Sequence, residues 1–389
     1  MINHDFAPLT IRGKALLPIV QGGMGVGVSA HRLAGAVAKE GGIGTIASVD
    51  LRHHHADLVE ASKQTRSQDE LDELNCVALD REIRLAKENS AGNGLVAVNV
   101  MKAVGAHAKM VQQACESGAD AIVMGAGLPL DLPEMTAAYP HVALIPILSD
   151  SRGINVVLKR WMKKGCLPDA IVIEHPNHAG GHLGAASIEA LNDPKFNFDR
   201  VLAEARALFE ELHIADKVPL IVAGGINSFE KVKHYLGSGA SAVQLGTAFA
   251  VTHESDAHQS FKDVLARARR EDIVEFMSVA GLPARAVLTP WLKTYLARLE
   301  KLQANAKADI ARCTQGLNCL SVCGLRDGLS KVGQFCIDMK LSSAMRGEVG
   351  KGLFFRGTEP LPFGEAIRSV RELMDYMLTG RRPDDLQMT

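Results

Sequence analysis

The chain has 389 residues, 47% of them apolar, which is enough apolar sequence for a large buried core and excludes a disordered chain. Its 43 basic and 44 acidic side chains nearly cancel, so no global field favours nucleic acid or an anionic membrane surface, and a small-molecule partner is expected. The sequence contains no signal-peptide pattern, no uncharged stretch of membrane-spanning length and no cysteine-dense framework, so we expect a cytoplasmic protein with reduced thiols.

Eight short apolar, β-branched runs follow one another through the first part of the chain, separated by longer segments of helical period. The runs are 16–24, 43–49, 95–101, 121–127, 143–150, 170–176, 219–226 and 242–251. Nearly continuous apolar runs are typical of parallel strands that are buried on both faces. Eight strand–helix units therefore predict an α/β fold, a closed (β/α)8 TIM barrel.

The alternative architecture is an open, doubly wound sheet. Such a sheet would carry a Gly-x-Gly-x-x-Gly turn after its first strand. The first run is followed instead by Gly23-Met24-Gly25-Val26-Gly27, in which the glycines are spaced differently. The glycine spacing and the number of strands both favour the closed barrel.

Two stretches do not fit a minimal barrel. The connection 51–94 is longer than one crossover helix requires and alternates in charge, which predicts a helical insertion. After Val251 the strand pattern stops and helical period takes over. We therefore expect a barrel over 1–251 and a mainly helical lid or C-terminal region over 252–389, with 351–363 as the segment that would cover the barrel mouth.

Glycines follow the last two strands, where this fold often binds phosphate groups. The seventh strand leads into Ala223-Gly224-Gly225-Ile226-Asn227, and the eighth contains Gln244-Leu245-Gly246-Thr247-Ala248. Glycines allow backbone N–H groups to approach an anion closely. Two such loops at neighbouring strand ends predict a phosphate site, although a single glycine pair would indicate only a tight turn.

The sixth strand leads into the most polar glycine-rich loop of the chain, Glu174-His175-Pro176-Asn177-His178-Ala179-Gly180-Gly181-His182. Three histidines here allow a metal site, or one working imidazole among supporting ones. Glycines and a proline make the helix that would align the histidines on one face unfavourable. We favour His182 as a general acid or base, beside the alternative that it only satisfies loop hydrogen bonds.

Several of these motifs together resemble the nitronate monooxygenases, whose superfamily includes flavin-dependent enoyl-acyl-carrier-protein reductases and NADH:quinone reductases. The resemblance covers about residues 16–285. It rests on Gln21-Gly22-Gly23-Met24, Gly41-Gly42-Ile43-Gly44, Ala179-Gly180-Gly181-His182, Val222-Ala223-Gly224-Gly225-Ile226, Gln244-Leu245-Gly246-Thr247 and Gly281-Leu282-Pro283-Ala284-Arg285. It is specific for the superfamily rather than for one activity.

The resemblance implies FMN bound across the strand ends. Its phosphate would lie at Gly224, Gly225, Gly246 and Thr247. The flavin ring would lie against the backbone of Gly22, Gly23 and Met24, with Asn99 as a polar contact. Gln244, Gly180 and Gly181 would also contact the cofactor. His182 matches the family's acid or base. The protein would then set orientation and proton supply while the flavin performs the redox step. His178 stands where related loops commonly have a glutamate.

The tail contains four cysteines close together in sequence, Cys313, Cys319, Cys323 and Cys336. Four thiolates can hold zinc or an iron–sulfur cluster, and buried cysteines also occur simply as small apolar residues. Both interpretations stay open.

Two other polar features receive structural interpretations. We expect His53-His54-His55 to be an exposed polar stretch rather than a metal site, because three consecutive residues cannot share one helical face. Arg285 would either pair with an anionic ligand or form an internal salt bridge.

Three functions follow as hypotheses. The first is FMN-dependent oxidation of alkyl nitronates with molecular oxygen. The second is an NAD(P)H-dependent flavin reductase that acts on quinones or enoyl thioesters. The third, from another class, is a barrel that binds a phosphate ligand without redox chemistry.

Overall fold

The computed structural model describes residues 2–309, 311, 313 and 319–383. The chain begins with an antiparallel hairpin of β1 (Leu9–Ile11) and β2 (Lys14–Leu16). Leu9, Ile11 and Leu16 pack with the apolar side chains of the barrel interior. The hairpin therefore closes the amino-terminal end of the barrel.

Eight parallel strands then form the closed barrel, and they follow one another around it in chain order. They are β3 (Ile19–Gln21), β4 (Ile43–Ala47), β5 (Leu95–Met101), β6 (Ala121–Gly125), β7 (Ala143–Leu148), β8 (Ile171–Glu174), β10 (Leu220–Ala223) and β11 (Ala242–Leu245). The barrel prediction is confirmed, with each strand inside a predicted run. The last predicted run, 242–251, is longer than strand β11, because the chain turns at Gly246 into a short helix.

Helices surround the strands. Within the barrel they are α1 (His31–Lys39), α2 (Ala56–Ser62), α3 (Gln68–Ser90), α4 (His107–Glu116), α5 (Leu132–Met135), α6 (Ser151–Met162), α7 (Phe198–Glu211), α8 (Phe229–Gly237) and α9 (Thr247–Ala250). The stretch 51–94 is helical as expected, and most of it is the long helix α3. Ser67 caps the start of α3 by accepting a hydrogen bond from the Glu70 N–H.

The chain after the barrel is helical but also contains strands. Its helices are α10 (Gln259–Arg267), α11 (Pro290–Leu296), α12 (Leu299–Ala304), α13 (Gly324–Asp327), α14 (Ile337–Met345) and α15 (Val370–Thr379). The hairpin of β12 (Ile273–Met277) and β13 (Pro283–Val287) pairs with β9 (Gly181–His182) in an antiparallel sheet. The expectation that strands stop after Val251 was wrong, because β13 contains the fully buried Arg285, whose charge interrupts the apolar pattern. The domain boundary at 251 stays a prediction.

His53, His54 and His55 each lie beside a polar partner, and the partner of His53 belongs to the tail. His53 Nε2 lies 3.2 Å from Asp338 Oδ1 on α14, His54 Nε2 lies 2.8 Å from the Gly27 carbonyl, and His55 Nε2 lies 3.0 Å from Glu82 Oε1. The three histidines are partly buried rather than exposed, so that expectation was wrong. Each ring has its own partner on a different part of the chain. The prediction considered only whether the three side chains could share one face of a helix, and so it did not anticipate these separate partners.

None of the described helices is both long and apolar enough to cross a membrane.

Helix α1 packs so closely on β4 that no side chain fits at Gly44. A Cβ atom at Gly44 would overlap the carbonyl oxygen of Ala34 on α1. We expect Gly44→Ala to lower the free energy of unfolding by about 1–3 kcal/mol through overpacking, measured by urea denaturation. Gly237→Ala is the matched control, because the exposed Gly237 in α8 has no atom within 4 Å of the added methyl group. It should be neutral or stabilising by up to about 1 kcal/mol; equal destabilisation by both would contradict the packing argument.

Candidate active site

Three polar side chains form the floor of a cavity at the carboxyl ends of the barrel strands. On each strand alternate residues point into the barrel, where Ala97, Val172 and Ala242 belong to its apolar core. Two positions further along the same strands come Asn99, Glu174 and Gln244, and all three line the cavity. The apolar interior therefore ends in a polar layer of one amide, one carboxyl and a second amide.

The cavity has a volume of about 880 Å³, at the upper end of the range for small-molecule sites. All the residues predicted for the site line this one cavity: Gly22, Gly23, Met24, Asn99, Gly180, Gly181, His182, Gly224, Gly225, Gln244, Gly246 and Thr247. The residues predicted from the sequence thus come together from the ends of five different barrel strands.

The loops after β10 and β11 form a cradle of backbone N–H groups. Gly224 and Gly225 have φ values of +105° and +74°, which side-chain-bearing residues rarely adopt. Among the hydrogen bonds of the described residues, none has the N–H of Gly225, Gly246 or Thr247 as its donor. A Cβ atom at Gly246 would meet only the Met24 sulfur, at 3.8 Å. The cradle has free donors and open space beside it, as an oxyanion such as phosphate requires.

The first loop crosses the polar floor closely. A Cβ at Gly23 would overlap Asn99, and one at Gly22 would lie 3.2 Å from Nε2 of Gln244. These glycines are therefore needed where the loop packs on the floor, whatever lies above them. Their contact with a flavin ring stays a prediction.

His182 is held by the hairpin of the tail. Its backbone pairs with Ala284 of β13, and its Nε2 lies 2.9 Å from the Ser278 hydroxyl. The Ser278 oxygen also accepts a hydrogen bond from the Ala280 N–H at 3.2 Å. When the Ser278 hydroxyl donates to Nε2, the proton of the neutral ring lies on Nδ1. Burial lowers the pKa of His182 to about 4, so the imidazole is neutral near pH 7.

The other two loop histidines are also held neutral. Burial lowers the pKa of His175 to about 4, and burial lowers the pKa of His178 as well. The two rings lie 4.6 Å apart. Among the described residues, no three His, Cys, Asp or Glu side chains are arranged to hold a metal ion.

Arg285 fixes the histidine loop from behind. Its guanidinium donates to Glu275 at 2.8 Å and to the carbonyl of Pro176 at 3.0 Å, and it also donates to the carbonyl of Ala179. Of the two interpretations of Arg285, the structure supports the internal salt bridge. A buried cation bound to two loop carbonyls keeps the segment before Gly180 in one conformation.

The tail segment 351–363 forms one wall of the cavity, while its role as a lid over the barrel mouth stays a prediction. Leu353, Phe355, Gly357 and Glu359 line it together with 360–362. The Gly357 N–H donates to the Thr247 hydroxyl at 3.1 Å. A Cβ at Gly180 would lie 2.6 Å from the backbone of residues 356 and 357, so Gly180 is required by the tail that crosses it.

Comparisons with known proteins are consistent with this geometry. The family model described as "Nitronate monooxygenase" matches residues 10–351. The chain belongs to the nitronate monooxygenase family. A probable nitronate monooxygenase from Bacillus subtilis is 32% identical over 123 residues, 32% of this chain and 33% of that protein. The sequence match to such curated relatives therefore spans only about a third of their length.

Solved structures agree in fold over almost the whole chain. A nitroalkane oxidase from Streptomyces ansochromogenes has a TM-score of 0.62 at 18% identity and covers 93% of this chain and 94% of its own. FabK from Thermotoga maritima has a TM-score of 0.61 at 19% identity, with 95% and 94% covered. At these identities the likeness shows the fold.

This member of the family carries a carboxylate from its tail beside His178. The Nδ1 of His178 lies 3.5 Å from Oε1 of Glu359, and Lys231 Nζ lies 2.7 Å from the other Glu359 oxygen. Lys231 also donates to the Gly225 carbonyl at 2.6 Å. A charged network thus adjoins the cradle, although the loop itself lacks the glutamate that the resemblance leads one to expect.

The cysteine-bearing segment lies behind the hairpin that holds His182. Cys319, Cys323 and Cys336 belong to the same apolar cluster as Phe276 and Ala284 of that hairpin. Burial raises the pKa of Cys319 well above its usual range, with contributions from Asp50 and the neighbouring thiols. A protonated thiol is not the species that binds a metal. All four cysteines lie in the described part of the chain, in which no three His, Cys, Asp or Glu side chains are arranged to hold a metal ion, and the choice between a metal site and buried free thiols stays open.

The sequence patterns assigned no role to four residues that line the cavity or contact its lining: Glu174, Lys231, Ser278 and Phe355. Ser278 is 96 positions from His182 and lies in a turn that no strand pattern revealed. Phe355, whose ring centre is 5.6 Å from that of His182, comes from the tail. Glu174 alone carried a usable signal, because it is a charged residue at the end of an otherwise apolar strand.

Proposed function

We propose that this chain oxidises alkyl nitronates with molecular oxygen, using FMN held across the barrel mouth. The observation that carries the proposal is that one cavity contains both the cradle of unpaired backbone N–H groups and the imidazole of His182. The cradle suits the phosphate of a redox cofactor, and the imidazole suits a polar substrate beside that cofactor. Membership of the nitronate monooxygenase family supports a flavin, and the cradle supports one with a terminal phosphate.

The residues proposed to hold FMN divide into two groups. Gly224, Gly225, Gly246 and Thr247 would receive its phosphate. The flavin ring would lie against Gly22, Gly23 and Met24, with Asn99, Gln244, Gly180 and Gly181 around it. When bound, FMN supplies the redox chemistry, by which electrons leave the nitronate and pass to oxygen.

His182 is proposed to bind the substrate. A neutral imidazole whose Nε2 is occupied by Ser278 offers its Nδ1–H, a donor suited to the negatively charged oxygens of a nitronate. The tail wall at Phe355 and Leu353 restricts water, which strengthens that hydrogen bond.

Oxygen consumption by the FMN-loaded protein tests the proposal. Propane-2-nitronate should support rapid oxygen uptake without NADH or NADPH. Uptake that requires NADH or NADPH, with slow turnover of the nitronate, would contradict the proposal and favour a reductase of quinones or enoyl thioesters. The cavity volume is the observation that supports this second function, because it also admits larger substrates.

A further inference from the structure

The side of the cavity that faces the phosphate cradle is apolar. In the barrel order, β5 and β6 lie four strands away from β10 and β11, so their carboxyl ends face the cradle across the mouth. Met101 ends β5, Leu128 lies in the loop after β6, and Ile147 lies near the end of β7. All three line the cavity, and none belongs to the residues proposed to hold FMN. Met101, Leu128 and Ile147 are called the apolar side below.

Two of these side chains point inward because of their positions along the strands. Ala97 and Ala143 belong to the apolar barrel interior, and four residues further along the same strands come Met101 and Ile147. Ile147 packs directly against that interior. On this side the polar floor is therefore followed by apolar side chains.

Leu128 extends the apolar side to the rim of the cavity. It is 42% exposed, and a Cβ atom at Gly153 of α6 would lie 3.9 Å from its side chain. The residues before it, 125–127, have no side chain larger than a methyl group. An apolar ligand would cover leucine surface here that is exposed to water, which would stabilise binding.

The ionisable residues of the cavity disfavour a second anionic group. Among the described residues that line it there is no lysine or arginine, whereas Asp150, Glu174 and Glu359 do line it. Lys231 contacts the lining at the cradle, where it donates to the Gly225 carbonyl at 2.6 Å and pairs with Glu359 at 2.7 Å. Its positive charge is therefore placed beside the proposed phosphate.

The described cations of the segments next to the apolar side do not line it. Lys102 follows Met101, but its Nζ donates to the two carboxylate oxygens of Asp131 at 2.7 and 2.6 Å. Arg152 is exposed and does not line the cavity, whereas Asp150 does. A carboxylate on a ligand would lose hydration here without gaining a cationic partner, so an anionic substituent is disfavoured.

His182 lies next to the apolar side. Strand β8 is the neighbour of β7, and the loop after His182 packs on the end of β7, where a Cβ atom at Gly184 would overlap the Ser149 hydroxyl. Phe355 continues the apolar surface, with its ring centre 5.6 Å from that of His182. A nitronate whose oxygens bind His182 can therefore direct its carbon substituent along β7.

We propose that the apolar side binds the organic substituent of the nitronate, and that this substituent is an uncharged alkyl chain or aryl ring larger than that of propane-2-nitronate. This inference rests on the proposed function and deepens it, because it names the class of nitronate. The residues that select the substrate are then distinct from those proposed to hold the cofactor.

A series of chain lengths tests the size of the site. Oxygen uptake by the FMN-loaded protein is measured with the nitronates of nitroethane, 1-nitropropane, 1-nitrobutane and 1-nitrohexane. The value of kcat/KM should rise about fourfold for each methylene group that the apolar side buries. No rise along the series would contradict the inference.

A matched pair of nitronates tests the exclusion of charge. Those of 1-nitropentane and 4-nitrobutanoate are similar in length, and only the second ends in a carboxylate. The value of kcat/KM should be higher for the uncharged nitronate by about 10²-fold or more. Equal values would overturn the inference although both nitronates are oxidised.

Leu128→Lys places a cation on the apolar side. It should reduce the preference for the uncharged nitronate by about tenfold, and added salt should restore part of that preference. Val77→Lys is the matched control, because Val77 on α3 is also 42% exposed and does not line the cavity, so both rates should stay unchanged. The same loss of preference in both variants would refute a site at Leu128.

Binding without turnover separates this inference from the proposed oxidation. Ligand-observed NMR on the anaerobic FMN-loaded protein measures the dissociation constants of 1-nitropentane and 4-nitrobutanoate as neutral nitro compounds. The first should bind about tenfold more tightly or better. That preference without oxygen uptake from any nitronate would support the apolar side and refute the proposed oxidation, whereas tighter binding of 4-nitrobutanoate would overturn the inference.

Discussion

Replacing His182 with asparagine is expected to lower kcat/KM for propane-2-nitronate by about 10²–10³-fold, as found when one preorganised hydrogen-bond donor to a charged reacting group is removed. The imidazole is held between the Ser278 hydroxyl and the backbone of β13, and an asparagine on the same backbone does not reach the same point. Flavin content should be unchanged, because the proposed phosphate cradle lies on other loops. Steady-state oxygen uptake together with the flavin-to-protein absorbance ratio measures both quantities.

Ser278→Ala is the control for the His182 prediction. It keeps the imidazole and removes only the hydroxyl at 2.9 Å from Nε2. A lost hydrogen bond of about 0.5–1.5 kcal/mol corresponds to a decrease of about two- to tenfold. In wild type, no limb of the pH profile for nitronate should come from His182 near pH 6.5, because burial lowers its pKa to about 4. A flavin-replete His182→Asn protein with the wild-type rate would refute the assigned role.

The second large effect is expected at the phosphate cradle. Gly246 has an ordinary negative φ of −109°, and the space beside it is open as far as the Met24 sulfur. An aspartate therefore fits there, and its carboxylate would occupy the place proposed for the FMN phosphate. Like charges in contact cost several kcal/mol, so Gly246→Asp should weaken FMN binding by about 10³-fold.

Gly246→Asn is the matched control, since it has the same size and no charge. Flavin fluorescence quenching on titration of the apoprotein measures both affinities, and circular dichroism checks that both variants fold. The asparagine variant should bind FMN much more tightly than the aspartate variant. If both bind FMN as wild type does, the phosphate of the cofactor does not lie at Gly246.

The barrel was predictable because each strand is buried on both faces, so its sequence is apolar regardless of what the loops do. Loop glycines such as Gly224 and Gly225 were predictable for a related reason, because their positive φ values restrict the residue type. Both signals are local in sequence. They fixed the location of the cavity and much of its lining.

The surroundings of His182 could not be predicted in the same way. Ser278 and Phe355 reach it through the β12–β13 hairpin and the tail, whose order depends on the buried Arg285 rather than on a repeating apolar pattern. Gly180 illustrates the same limit. Its missing side chain suggested room for a cofactor, whereas the structure places the tail backbone against it.

The most direct test of the proposed function is the flavin absorbance of the FMN-loaded protein after anaerobic mixing with propane-2-nitronate. The proposal predicts that the flavin band bleaches rapidly with the nitronate alone and returns when oxygen is admitted. A band that does not respond to the nitronate but bleaches with NADH or NADPH would contradict the proposal and make this family member a reductase.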